Sequence, residues 1–381
     1  MRTSSIFHLL LLGLLWSLTA IGSETTKNPA RPDRFILYTN IVNPEVPWSV
    51  HVVRVDYLHR DVRFCTTLGG GDAFGMETVP EQIKTLPHEL GQPLAAINGD
   101  FYDEAEDFPM RPRDVQIRQG ELLTHAAGHT SFWIDPEGKP QLTNVYSRFK
   151  VIWPNGEASP FGLNVKRADD ALVLYTTAAG SSTRAKGGVE YVLESTGEGK
   201  WLPLRAGQSY QAKIRKVQKN GDSRLDGEIL VLSVGPKLIS SVPALQAGAK
   251  VQISTETFPN LTGVDVAIGG GPALVKDGKL MEWKNWIKLR HPRTALGWNE
   301  RHLFLVVVDG RQIDSSVGMT FPELADFMIS LGCQEAMNLD GGGSATLWAF
   351  GSVRNSPSEG QERLAPNALV VVRKPSSRED Q

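Results

Sequence analysis

Beyond residue 34 the chain is organised by short runs in which apolar and polar positions alternate. These lie at 35–41, 49–57 and 62–67, most clearly where Val50, Val52 and Arg54 project to one side and His51, Val53 and Val55 to the other. A helix-like stretch at 78–89 follows, with Pro80 near its start, and then a short apolar strand at 93–97 that delivers Asn98-Gly99-Asp100-Phe101-Tyr102. The middle, 111–255, carries β signals at 131–134, 172–177, 190–194, 210–217 and 228–234, separated by Gly-, Pro- and Asn-containing turns and showing no repeat period. A polar link at 244–253 leads into another strand, and 264–268 runs into Gly269-Gly270-Gly271-Pro272. Strands at 294–298 and 302–308, joined by Asn299-Glu300-Arg301, end at Asp309-Gly310. Leu324, Phe327, Met328 and Leu331 then share one helical face. Thr320 is placed as N-cap with Glu323 three residues on, Pro322 suits the first turn, and Gly332 stops the helix. A strand at 335–339 hands over to Gly341-Gly342-Gly343, and strands at 347–350 and 368–372 close the sheet. The pattern predicts an α+β fold: a mixed or antiparallel β-sheet core with packed helices and a β-rich middle insertion.

The N-terminus reads differently. Met1-Arg2, an apolar run over 6–18, and Ala20-Ile21-Gly22 before a polar stretch make a secretory signal over 1–22, too short for a comfortable membrane span. Residues 23–34 form a polar lead-in, 35–372 the folded domain, and 373–381 a loose tail. The signal predicts an exported protein, periplasmic or extracellular, with no stable membrane span in the mature chain. A formal net charge of −2 argues against nucleic acid as a partner. Cys65 and Cys333 are the only cysteines, so the fold cannot depend on a disulfide framework, though one bridge between them is compatible with export.

Chemistry concentrates where strands end. The stretch Asn338-Leu339-Asp340-Gly341-Gly342-Gly343-Ser344-Ala345-Thr346 sets an amide, a carboxylate and two hydroxyls around a glycine triplet, whose backbone turns sharply and leaves its N–H groups open to an anionic oxygen. Asn98 with Asp100, His291 with Arg293 and Thr294, and Asp309 with Arg311 fall at comparable places. Arg293 offers a planar fork for two phosphate oxygens, with Gly343 and Ser344 adding an N–H and a hydroxyl. Asp340 is placed to orient water or exchange a proton with a leaving oxygen, unless it only caps its own turn. Asn338 and Asn98 have amides suited to sugar hydroxyls or a phosphate oxygen, although Asn98-Gly99 also reads as a tight turn. Asp100, Asp103, Glu104, Glu106 and Asp107 are hard oxygen ligands suited to Ca²⁺ or Mg²⁺, but their spacing does not follow an EF-hand and a solvated acidic loop is the alternative. No HExxH, P-loop, dinucleotide fingerprint or Gly-x-Ser-x-Gly elbow is present. Trp283, Trp286 and Trp298 would stack on a sugar face or pack in the core.

These blocks resemble the phosphodiester glycosidase family. The likeness is strongest at Asn338-Leu339-Asp340-Gly341-Gly342-Gly343-Ser344. It extends through Ala95-Ala96-Ile97-Asn98-Gly99-Asp100-Phe101, Ile268-Gly269-Gly270-Gly271-Pro272, His291-Pro292-Arg293-Thr294-Ala295, Val307-Val308-Asp309-Gly310-Arg311 and Pro366-Asn367-Ala368, in the family's order over about 50–372. The resemblance implies hydrolysis of a sugar-1-phosphodiester, such as an N-acetylglucosamine-1-phospho-sugar, with Asn98, Arg293, Asp309, Asp340 and Ser344 as catalytic residues. It places Asn338, Gly342, Gly343, Thr294, Asp100, His291 and Asn367 at the substrate, with Phe101 beneath the site. Residues 111–255 match poorly, and the membrane tail of the animal member is lacking, which favours a bacterial exported form acting on glycans. An exported glycan-binding or envelope protein without turnover, and a hydrolase of non-phosphorylated polysaccharide, are the alternatives. Oligomeric state is not legible from the chain.

Overall fold

The structure, a computed structural model, describes residues 35–197, 201–283 and 289–375 of the 381-residue chain. The signal segment 1–22, the lead-in 23–34, Trp286 and residues 376–381 of the expected tail lie outside the described residues. Antiparallel sheets dominate. The first sheet runs in the order Ile36–Asn43, Trp48–Asp56, His302–Val308, Arg293–Trp298, Glu335–Asn338, Ala273–Lys276, Lys279–Leu280. A second, Ser352–Val353, Leu347–Ala349, Gln92–Asn98, Ala368–Arg373, Val62–Thr66, packs against it. Leu303, Leu305 and Val307 of one strand enter the core between these sheets, while Phe304, Val306 and Val308 face the helix Phe321–Ser330. A strand covered on both faces has no need of polar alternation, which is why 302–308 reads as an unbroken apolar run.

The helix Phe321–Ser330 carries the expected capping box between Thr320 and Glu323, and its buried Leu324, Ala325 and Met328 seal the outer face of the first sheet. The second sheet is sealed by Val79 and Ile83 of the helix Val79–Lys84. The single helix expected over 78–89 is shorter: it stops at Lys84, and a 3₁₀ turn His88–Leu90 follows Pro87, because proline drives the residue before it out of the helical region.

The middle of the chain divides between two further sheets. Ala127–Ile134, Pro140–Ser147, Val266–Gly269 and Gln116–Arg118 belong to one whose inner face joins the first core through Phe132, Val266 and Ile268. Residues 150–254 supply the other, centred on Lys186–Ser195 and Ser209–Gly221, over a separate core that includes Val151, Leu174, Leu193 and Ile214. The acidic stretch after Asn98 is a hairpin, Tyr102–Ala105 with Phe108–Pro112, rather than a loop, and charged residues on an exposed two-stranded ribbon leave no hydrophobic pattern to read. Cys65 lies in the core under Val79–Lys84 and Cys333 in the core under Phe321–Ser330. Both are free thiols, which corrects the bridge allowed from sequence, and burial pushes each up to about 12. The architecture is α+β, with an antiparallel β core and few helices.

Candidate active site

Antiparallel pairing sets the start of one strand against the end of its neighbour, and this gathers the distant blocks. Arg293 pairs with Val308, just before Asp309; Ala295 pairs with Asn338; Ala368 pairs with Asn98. The glycine turn therefore lies where the ends of five strands from two sheets meet.

Asn98 is a brace. Fully buried, it donates from Nδ2 to the Asp340 carbonyl at 2.6 Å and accepts at Oδ1 from Thr294 Oγ1 at 2.7 Å and the Thr346 N–H at 3.0 Å. Its amide is spent on the two ends of the glycine turn, and Thr294 is spent on Asn98. Asn367 is likewise buried, accepting the Asp100 N–H at 2.8 Å and donating to Gln116 Oε1 at 2.5 Å. Asn338 donates to the carbonyls of Gly271 at 3.0 Å and Leu339 at 2.6 Å, and its Oδ1 is a buried acceptor without a donor. Asn98, expected as catalytic, and Thr294, Asn338 and Asn367, expected at the substrate, thus make side-chain hydrogen bonds within the site's own frame.

Two of the turn's three glycine N–H groups are taken within the protein. The Gly341 N–H donates to Asp340 Oδ1 at 2.9 Å and the Gly342 N–H to the Pro292 carbonyl at 2.9 Å, so neither is open to an external anion. What the glycines supply is room. Gly342 sits at φ 60° and its missing Cβ leaves space that the Arg311 guanidinium approaches to 3.0 Å, while a Cβ on Gly343 would collide with Glu359. Arg311 and Glu359 are within 3.9 Å of each other.

Asp340, 9% exposed, lies at the centre. Burial raises its pKa, opposed in order by the Ser344 hydroxyl, the Arg363 charge, the Gly341 N–H and the Arg113 charge. Arg363, not singled out from sequence, approaches Asp340 Oδ2 to 3.8 Å and donates to Ser344 Oγ from Nε at 3.0 Å and Nη2 at 2.8 Å. Two guanidinium donors occupy both lone pairs of that oxygen, so Ser344 directs its proton to Asp340 and is not arranged as a nucleophile.

Arg293 is 6% exposed, stacked on Phe321 at 4.3 Å, with Nε donating to the Met319 carbonyl at 2.9 Å and Nη2 to that of Leu289 at 3.3 Å. No carboxylate pairs with it among the described residues, and burial followed by the nearby Arg311 lowers its pKa to about 10. Arg293 and Arg311, after burial, lower that of His291, whose Nδ1 is buried without a partner among the described residues. Arg293 therefore backs a cationic group beside the turn and does not touch Asp340. Asp309 faces elsewhere: Oδ2 meets His51 Nε2 at 2.9 Å, His51 Nδ1 meets the Tyr38 hydroxyl at 2.9 Å, and Oδ1 accepts the Ser356 N–H at 2.8 Å. The Asp309 charge is not among the causes that act on Asp340.

Asp100 and Asp114 form a close carboxyl pair. Asp100 Oδ2 accepts the Asp114 N–H at 2.7 Å, and burial first, then the Asp114 charge, push Asp100 up to about 8. Asp114 contacts His129 Nδ1, and both border a cleft of about 330 Å³ lined also by Phe101, Arg113 and Gly270–Pro272. Arg113 lies 5.2 Å over the Phe101 ring. The acidic hairpin is tied to basic side chains, Asp103 to Arg111 at 2.6 Å and Asp107 to Lys186 at 3.1 Å. No three His, Cys, Asp or Glu converge as a metal site among the described residues.

Similar proteins include two solved structures and one curated sequence. A hypothetical protein from Synechocystis superposes with TM-score 0.68 and 15% identity over 88% of this chain and 61% of its own. A putative exported protein from Burkholderia pseudomallei K96243 gives 0.65 and 21% over 85% of this chain and 74% of its own. These likenesses are of fold. In sequence, an uncharacterized SPbeta prophage-derived protein of Bacillus subtilis (strain 168) is 36% identical over 104 residues, 26% of this chain but only 16% of that relative's length. Residues 205–372, which hold Arg293, Asp309, the glycine turn and Arg363 but not Asn98, Asp100, Asp114 or His129, match the family described as Phosphodiester glycosidase, and the chain has family-level similarity to these hydrolases.

Proposed function

We propose that this protein hydrolyses a sugar-1-phosphodiester in the space beside Asp340. The observation that carries the reading is the company this carboxyl keeps. Arg363 and Arg113 bear on Asp340, the Arg311 guanidinium lies beside the adjacent Gly342, and the Arg311 charge acts on Arg293 and His291. Such a field favours an anion, and fixed guanidinium groups offset charge developing on phosphoryl oxygens without reorganising. Asp340, raised by burial, holds a proton to higher pH than a free carboxyl and is suited to protonating the leaving oxygen. Ser344 and Arg363 keep it aimed. Arg311 and Arg363, each over a third exposed at the side chain, are the groups that reach substrate, with buried Arg293 strengthening the field behind them. The signal pattern at 1–22 supports an exported setting.

The test is release of N-acetylglucosamine from N-acetylglucosamine-1-phospho-methyl-mannoside in ¹⁸O-labelled water, with Asp340→Asn alongside. Turnover by the wild type, reduced about 10²-fold or more in the variant, is expected. Label in the sugar hydroxyl places attack at the anomeric carbon, and label in phosphate places it at phosphorus. Equal rates for both proteins overturn the role of Asp340. Absence of turnover overturns this substrate class and points to a glycan-binding protein, or to a hydrolase of unphosphorylated polysaccharide.

A further inference from the structure

We propose that His129, oriented by Asp114, is the base that takes the proton of the attacking water in the cleft beside Asp340. The inference rests on the hydrolase reading above and adds to it a residue from outside the matched segment.

The geometry is that of a built dyad. Asp114 is 1% exposed and held from several sides: its N–H donates to Asp100, its carbonyl accepts the Thr124 hydroxyl, and its Oδ1 accepts the Ala127 N–H at 3.2 Å. The remaining oxygen, Oδ2, meets His129 Nδ1. The His129 side chain is 56% exposed and lines the cleft with Phe101, Arg113 and Gly271. A carboxylate on Nδ1 selects the tautomer with its proton there and leaves the Nε2 lone pair as the accepting site. Asp100 completes the device. Its Oδ2 accepts the Asp114 N–H at 2.7 Å and fixes the backbone from which the Asp114 carboxyl reaches the imidazole. Two links run from the cleft towards Asp340: Arg113 lines the cleft and its charge acts on the Asp340 carboxyl, and the Gly271 N–H donates at 2.8 Å to the carbonyl of Asn338, two residues before Asp340.

In the step so assigned, the water oxygen bonds to the electrophilic centre and its proton passes to His129 Nε2. The bond from that centre to the leaving oxygen breaks, its electron pair stays on the oxygen, and the oxygen takes the proton of Asp340. Solvent then returns the proton from His129 to Asp340.

His129→Ala and Asp114→Asn decide it, assayed with the same phosphodiester. His129→Ala is expected to lower kcat about 10²-fold or more at little changed KM, and added imidazole to restore part of the rate, because the exposed position admits a free base. Asp114→Asn keeps the shape but loses the tautomer preference; it should lower kcat, and ¹⁵N shifts of His129 should show loss of the Nδ1–H form. A His129→Ala enzyme at wild-type kcat, or one whose loss imidazole does not relieve, overturns the assignment while leaving the hydrolase reading standing. A wild type that turns over no phosphodiester removes both.

Discussion

Asn98→Ala separates a brace from a substrate ligand. Removing the amide strips the Thr346 N–H, the Asp340 carbonyl and the Thr294 hydroxyl of their partner in a fully buried place. The hydroxyl can rotate towards another acceptor, but the two backbone groups are fixed. An unsatisfied buried group costs about 1–3 kcal/mol, so two of them with a small cavity amount to roughly 2–6 kcal/mol, a large share of a typical domain's ~5–15 kcal/mol. Urea unfolding followed by fluorescence should show a lower midpoint at unchanged slope. Activity measured below the transition should fall through kcat, because the Asp340 turn loses its anchor. A stability loss under about 1 kcal/mol together with a raised KM would refute the bracing role and make Asn98 a substrate contact.

Asp100→Asn tests the buried carboxyl. Its folded pKa of about 8 exceeds the ~3.9 of an unfolded Asp, so the native state holds a proton that the unfolded chain releases. That contribution is complete below about pH 4 and is lost as pH rises towards 8; the asparagine variant, which can still accept the Asp114 N–H, should keep a flatter stability profile and overtake the wild type near pH 8. Parallel urea midpoints for the two proteins between pH 5 and 8 would contradict this. The two cysteines should react with a thiol reagent only slowly in the native protein, and both should titrate after unfolding without reductant; no free thiol under those conditions would show a bridge.

Much of the fold was legible because local rules and burial agree. The strand 302–308 and the Thr320–Glu323 capping box stand where the pattern places them, since covered strands demand apolar side chains and a helix start demands its own acceptor. The hairpin after Asn98 was not legible, because exposed charged strands carry no period. Within the site, Asp340 and the glycine triplet announced themselves by an unusual local combination. Arg363 and His129 did not: neither has a neighbour in sequence that marks it, and their meaning comes from Ser344 and Asp114, 19 and 15 residues away.

The sequence by itself determined the α+β character and the strand ends at which polar residues collect, and it singled out Asp340 as a candidate. Roles within that set were decided by tertiary structure alone. Asn98, Thr294, Asn338 and Asn367 have side chains equally able to bind a ligand or a backbone carbonyl, and only the packing of sheet ends shows that the protein uses them for itself. The same holds for charge. Which carboxyl keeps its proton depends on how much water and how many cations surround it, and antiparallel pairing brings those neighbours together from segments the chain keeps far apart.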